Sequence, residues 1–162
     1  MNTEILLLCL VWFTLVTRLA AQTKFSGVAQ CHEPDQQHSI NAGDSADHSF
    51  VLSQEKCTWI KPMEIAGIQS KEDLLTDAYE TIGSSADGRG YDIETFANGD
   101  KLYCSSLWQI ADIKEGLPQS GQWTCTFIGG TGKFDKIKGK VSCKWNVSNT
   151  TWECEGEYEL HR

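Results

Sequence analysis

The sequence lacks the short motifs that identify several common enzyme and binding classes. It has no CxxC pair, which disfavours a zinc cluster and a thioredoxin-type redox site, and no G-x-S-x-G motif of a serine hydrolase. Positive charge is scarce, since 14 Lys and Arg stand against 22 Asp and Glu and leave a formal charge of -8. That balance argues against nucleic acid or an anionic membrane as a partner.

The chain has one long apolar run, over residues 5–16, which is followed by the small pair Ala20 and Ala21. The run has the length of a signal-peptide core and is shorter than the ~20 residues of an ordinary membrane span. We therefore expect a signal peptide over residues 1–21 and a single domain over residues 22–162. The alternative is an uncleaved anchor that ends at Ala21. Cleavage predicts a secreted protein, periplasmic in a bacterium, with no membrane insertion afterwards.

Six of the seven cysteines follow the expected cleavage site. An even number in a secreted chain favours disulfides over metal binding, so neither a metal nor a cofactor is expected. The six cysteines are Cys31, Cys57, Cys104, Cys125, Cys143 and Cys154.

The last thirty residues predict an antiparallel hairpin, because residues whose numbers sum to 297 form chemically sensible pairs. Trp145 then lies opposite Trp152, and Lys140 lies opposite Glu157. Cys143 and Cys154 face each other at disulfide distance. For the other four cysteines three pairings are open, and proximity in sequence favours Cys31 with Cys57 and Cys104 with Cys125.

Two Asn-x-Ser/Thr sequons begin at Asn146 and Asn149, on the tip of this hairpin. In a eukaryotic protein they are expected to carry glycans, whereas in a bacterium they are ordinary polar turn residues.

Alternation of apolar and polar residues predicts an all-β fold with no amphipathic helix in the mature chain. Counting the segments gives about eight antiparallel strands, and a closed or nearly closed barrel removes their free edges. Residues 31–47 are rich in His, Asp, Gln and Ser and are interpreted as a loop. A metal site from His32, His38 and His48 is disfavoured, because no two of them have a recognisable ligand spacing.

Asn98-Gly99 predicts a tight two-residue turn of type I′. That turn pairs Ile93 with Cys104 and Tyr91 with Ser106, and it places these residues on the inner face. The residues predicted to line a pocket are Tyr91, Ile93, Ser106, Trp108, Trp123 and Phe127.

Glu80 is the candidate catalytic residue, since it shares a strand face with Ala78 and Ile82. Inside a barrel its pKa would be raised, and it could then exchange a proton with a substrate. The competing interpretation turns Tyr79 inward and leaves Glu80 in water, because unpaired buried acids are rare.

The turn Gly129-Gly130-Thr131-Gly132-Lys133-Phe134, the following Ile137-Lys138-Gly139 and the closing strand around Cys154 resemble the allene oxide cyclase-like barrel proteins, which include the dirigent proteins. The resemblance covers residues 121–160 and implies an eight-stranded antiparallel barrel with a GGTGxF-type turn before a late strand. In the cyclase branch the pocket binds an unsaturated lipid epoxide and a glutamate assists ring closure. In dirigent proteins the pocket orients phenoxy radicals. The six mature cysteines and the His/Asp-rich loop depart from the plant cyclases.

These observations predict a secreted, disulfide-stapled barrel that binds a small hydrophobic molecule in its interior without a cofactor. One alternative is a cofactor-free cyclase or isomerase with Glu80 as the acid and base and with Tyr91 and Ser106 positioning the substrate. A second alternative is a structural or interaction protein whose barrel is filled.

Overall fold

The computed structural model describes residues 22–115 and 117–161, so the expected signal peptide lies outside the described residues. Ten strands and one short 3-10 turn, Gly132–Phe134, make up the fold. No helix within the described ranges is long and apolar enough to cross a membrane. The strands are β1 (Thr23–Cys31), β2 (Gln36–Asn41), β3 (His48–Lys61), β4 (Glu64–Ile65), β5 (Ile68–Ile82), β6 (Ser85–Phe96), β7 (Lys101–Ala111), β8 (Ser120–Gly130), β9 (Ile137–Asn146) and β10 (Thr151–Leu160).

Eight of these strands close an antiparallel barrel, as the alternation of the sequence predicts. The neighbours run β3, β1, β10, β9, β8, β7, β6 and β5, and pairing of β5 with β3 closes the ring. The long strand β3 pairs along one edge with β2 through its first half and with β1 through its second half. The fold is therefore all β, with a single closed barrel.

Strand β2 corrects the interpretation of residues 31–47 as a loop. It pairs with β3 from Gln36 to Asn41, and all six of its residues are exposed. A strand without a buried face shows no alternation of apolar and polar residues, so its sequence carries no periodic signal.

The C-terminal hairpin has the predicted register at every position from Ile137 to Leu160. Trp145 lies opposite Trp152 with ring centroids 5.4 Å apart, and Lys140 forms an ion pair with Glu157 at 3.3 Å. All three predicted disulfides are present. They are Cys31–Cys57, Cys104–Cys125 and Cys143–Cys154. Bonds of this kind are typical of proteins from oxidising compartments.

The hairpin between β6 and β7 differs from the prediction by one residue. Phe96 N–H donates to the carbonyl of Asp100, and Gly99 N–H donates to the carbonyl of Phe96, so the loop has three residues rather than two. In this loop Gly99 adopts a positive φ of 87° and Asn98 does not, which is a type I turn with a glycine bulge. A shift of one residue turns every side chain of a strand to the opposite face. Strand β6 therefore has the reverse of its expected orientation.

The barrel interior is divided along its axis into two parts. At the end where β1 begins, which we call the filled end, apolar side chains pack into a core that includes Phe96, Leu102 and Phe134. The turn at 132–134 and the β4 segment contribute Phe134 and Ile65, both fully buried, to that core. The opposite end, where β1 finishes and β10 starts, is not filled. We call it the open end.

Candidate ligand cavity

A cavity of about 310 Å³ occupies the open end of the barrel. Strands β1, β3, β5, β6, β7, β8 and β10 contribute to its wall, so it lies inside the barrel rather than on its surface. Its volume is at the lower limit of ordinary small-molecule sites, which span about 300 to 1,000 Å³. The residues that line it include Ser53, Glu55, Trp59, Asp73, Leu75, Asp77, Tyr79, Ala86, Trp108, Trp123 and Trp152.

Four tryptophans dominate the apolar part of this lining. Trp108 and Trp123 are directly opposite each other on β7 and β8, and Trp152 comes from β10. Trp59 reaches the cavity from β3. Their alternation along strands, with every second residue pointing inward, is what brings them together. Flat aromatic walls of this kind suit an aromatic or aliphatic ligand body.

The opposite part of the wall is acidic, which the sequence-based prediction missed. Glu55 on β3 and Asp73 and Asp77 on β5 line the cavity. Asp92 and Glu94 on β6 are buried beside them, at 1% and 5% exposure, towards the filled end. We call these five residues the acidic cluster. Among the described residues, no Lys, Arg or His lines the cavity.

Only some oxygens of the acidic cluster have partners. Trp108 Nε1 donates to Asp77 Oδ1 at 3.1 Å, Trp59 Nε1 donates to Glu94 Oε2 at 2.9 Å, and Ser106 Oγ donates to Asp92 Oδ1 at 2.9 Å. The buried atoms without a partner in this part of the barrel are Asp73 Oδ1, Asp92 Oδ2, Glu94 Oε1 and Trp123 Nε1. Buried polar atoms are almost always paired, so the three carboxyl oxygens need a proton or a donor, and the Trp123 N–H needs an acceptor.

Burial is the main reason why the pKa values of the acidic cluster are raised. It raises the pKa of Glu55 and of Asp73 to about 7 and that of Asp77 to about 6. The pKa of Asp92 rises to about 9, with the neighbouring Asp73 charge as the second cause. Glu94 also has a pKa well above its usual range, for the same two reasons.

Glycines on β6 make room for this arrangement. A Cβ at Gly90 would collide with the Asp77 carboxyl and with Ser106 Oγ, and one at Gly88 would collide with Tyr79 and Trp108. Because both glycines face inward next to β5 and β7, the side chains of those strands can reach over them. The two glycines therefore leave the space that the inward side chains of β5 and β7 occupy.

The structure brings together only part of the predicted pocket. Of the six predicted residues, Trp108 and Trp123 line the cavity. Ser106 is fully buried and bonds to Asp92, while Phe127 packs in the core of the filled end. Tyr91 and Ile93 are outside the barrel, since the register of β6 turns them outward, and Tyr91 is 43% exposed.

Glu80 does not line the cavity, so its predicted role in catalysis has no support in the geometry. Strand β5 turns Tyr79 inward and Glu80 outward, which is the competing interpretation of the sequence. Glu80 Oε1 lies 2.6 Å from His48 Nε2, and His48 Nδ1 lies 2.7 Å from Asp44. Hydrogen bonds to Asp44 and then to Glu80 raise the pKa of His48. This cluster ties the β2–β3 connection to β5.

The donor geometry does not favour a metal in the cavity. Within the described ranges, two groups of three potential ligand atoms lie within 4.8 Å of one another, and each includes a disulfide. One is Glu55 with Cys31 and Cys57, and the other is Asp92 with Cys104 and Cys125. Disulfide sulfurs are not thiolates and bind metals poorly.

No family model and no curated protein matches this chain.

Proposed function

We propose that this protein is a secreted barrel that binds a small ligand with a hydrophobic body in the cavity at its open end. The observation that carries the proposal is the 310 Å³ cavity walled by Trp59, Trp108, Trp123 and Trp152 in a barrel whose other end is packed. A barrel serving only as a structural element gains nothing from unfilled interior volume, because each missing contact costs stability.

The polar atoms of the lining add hydrogen-bonding groups to this apolar site. Asp73 Oδ1 is an acceptor without a partner, and Trp123 Nε1 is a donor without one. A few convergent polar groups in a mostly apolar pocket are what fixes the orientation of small ligands. The ligand is accordingly expected to be amphipathic rather than a plain hydrocarbon.

Native mass spectrometry of the protein purified from its source tests this proposal. We expect a co-purified small molecule that is lost on denaturation. The variant Ala86→Phe places a large side chain on the cavity wall and is expected to reduce ligand occupancy at least tenfold. Its control is Ala78→Phe, because Ala78 is exposed on the outer side of β5. Equal occupancy in the two variants would contradict binding in the cavity.

The second candidate function is a cofactor-free cyclase or isomerase. It is favoured by Asp77, whose carboxyl lines the cavity, accepts a hydrogen bond from Trp108 and has a pKa of about 6. A carboxyl that titrates near neutral pH can both accept and return a proton. Incubation with an unsaturated fatty-acid epoxide, followed by chiral chromatography, tests it. Turnover by the native protein that is abolished in Asp77→Asn would establish the enzyme. A racemic product at the uncatalysed rate would exclude this substrate class.

A further inference from the structure

The acidic cluster places five carboxyl groups inside one barrel, and no Lys, Arg or His of the described residues lines the cavity beside them. Glu55, Asp73, Asp77, Asp92 and Glu94 come from three adjacent strands, β3, β5 and β6. Buried carboxyl groups are rare unless they are paired, because burying an ionised group without a partner is strongly unfavourable. A neutral hydrophobic ligand alone would leave this cost in place.

Asp73 is a buried residue of the cavity wall whose carboxyl group has an unpaired oxygen. Its side chain is 3% exposed, it lines the cavity, and its Oδ1 has no hydrogen-bond partner. Asp77 lines the cavity on the same face of β5, four residues further on. Asp73 is therefore a cavity-wall residue with unused hydrogen-bonding capacity, which a donor on a bound molecule can satisfy.

A metal ion does not fit this donor set. Calcium takes six to eight oxygen ligands at roughly 2.3 to 2.6 Å. Among the described residues, no three carboxyl groups of the acidic cluster bring one oxygen each within 4.8 Å of one another. An organic ammonium needs fewer acceptors, since it carries at most three N–H donors, and it is attracted to aromatic faces as well. Trp59 and Trp108 each donate to a carboxyl of the cluster, so indole rings and acids are adjacent.

We propose that the cavity selects an organic amine, with the ammonium group held by Asp73 and the hydrophobic body against the tryptophans. This inference rests on the proposed function, whose ligand it assigns to a chemical class. Carboxylates and aromatic walls together discriminate against a neutral or anionic molecule of the same shape.

Binding of an ammonium is coupled to the release of protons. The titratable groups around the cavity are Glu55 from β3, Asp73, Asp77 and Tyr79 from β5, Asp92 and Glu94 from β6, and Glu33 in the connection after β1. A positive charge lowers the pKa of the adjacent carboxyls, so those that titrate near pH 6 to 7 lose their protons on binding. An alkylammonium has a pKa of about 10 and stays charged. Affinity is therefore expected to rise as the pH increases from 5 to 8.

Isothermal titration calorimetry with three probes of one shape tests the amine class. The probes are phenethylamine, 2-phenylethanol and 3-phenylpropionate, titrated into the mature protein at pH 7.5. We expect phenethylamine to bind at least tenfold more tightly than the alcohol, and the carboxylate to bind most weakly. If the alcohol binds as tightly as the amine, the amine inference is wrong while the cavity still binds ligands. If none of the three binds at millimolar concentration, both the inference and the cavity's role for ligands of this size are rejected.

Single substitutions test whether the carboxyl of Asp73 binds the ammonium group. Asp73→Asn is expected to weaken phenethylamine at least tenfold and to leave 2-phenylethanol within twofold. Asp87→Asn is the matched control, because Asp87 is an exposed carboxylate on β6, and it should change neither. An equal loss for the amine and the alcohol would show that Asp73 shapes the cavity without binding the charge, which would overturn its assignment.

Proton release provides a measurement on the native protein that does not depend on any variant. At pH 7 the heat of phenethylamine binding should differ between phosphate and Tris, because released protons are taken up by buffers with different ionisation enthalpies. Identical heats in the two buffers would contradict binding at the acidic cluster.

Discussion

The carboxyl of Asp92 couples the stability of the barrel to pH. It is fully buried, and its pKa of about 9 keeps it protonated in the folded protein at neutral pH. In the unfolded chain an aspartate has a pKa of ~3.9 and is ionised. Between these two values the folded state binds more protons than the unfolded state, so the free energy of unfolding falls as the pH rises. Asp73, Glu55 and Asp77 act in the same direction up to about pH 7, 7 and 6.

We expect Asp92→Asn to be more stable than the native protein at pH 8, by a few kcal/mol, on the order of 1.4 kcal/mol for each pKa unit. The amide keeps an acceptor for Ser106 Oγ and has no charge to bury. Urea unfolding at pH 5 and pH 8 measures the effect, and the decline between these pH values should become smaller in the variant. Asp87→Asn should keep the native decline. An unchanged decline in Asp92→Asn would mean that this carboxyl is not the buried acid described above.

The turn between β6 and β7 decides which residues of β6 face the interior. A three-residue loop with Gly99 at positive φ turns Asp92, Glu94 and Phe96 inward. A two-residue loop would have turned Tyr91 and Ile93 inward instead. The acidic cluster thus depends on the local conformation of three loop residues.

Core substitutions in β6 test this register. Phe96 is 1% exposed and packs against Phe134 with ring centroids 4.3 Å apart, so Phe96→Ala is expected to cost about 3 to 5 kcal/mol. Tyr91 is on the outer face, where Tyr91→Ala should cost about 1 kcal/mol or less. Chemical denaturation of both variants gives the comparison. If Tyr91→Ala lowered the stability more than Phe96→Ala, β6 would have the orientation that a two-residue turn gives, and the register described here would be wrong.

Strands β7 to β10 were predictable from the sequence because their apolar residues alternate cleanly. Cys143 and Cys154 were placed opposite each other by the pattern of charges around them, and the structure confirms that pairing. The orientation of strand β6 was not predictable in this way, since most of its inward residues are acids and glycines, which alternation assigns to solvent. Gly88 and Gly90, spaced by two with Asp92, were the available signal. The acidic part of the cavity wall was not predictable for the same reason, because Asp73 and Asp77 also look like surface residues in the sequence.

For the whole molecule, the three disulfides join neighbouring strands at different points of the ring. They connect β1 to β3, β7 to β8 and β9 to β10. Cys31–Cys57 spans the longest segment, 26 residues, and both of its cysteines line the cavity. This bond therefore joins β1 to β3 at the open end, where packing is weakest.

Replacing Cys31 and Cys57 together by Ala is expected to lower the free energy of unfolding by roughly 2 to 4 kcal/mol, since the unfolded chain regains the entropy of the closed loop. The same variant should also bind ligands less tightly, because the cavity wall is no longer fixed. Denaturation and ligand titration measure the two effects. A stability loss below about 0.5 kcal/mol would show that the hydrogen bonds between β1 and β3 hold the open end by themselves.

The division of the barrel into a filled end and an open end has a consequence for redesign. The side chains that supply most of the hydrophobic core, such as Phe96 and Phe134, are separate from those that surround the cavity. Wall positions such as Ser53 and Leu75 can be exchanged without removing that core. The protein is thus a natural starting scaffold for engineered binders, in which new recognition chemistry can be installed at one end while the other preserves folding.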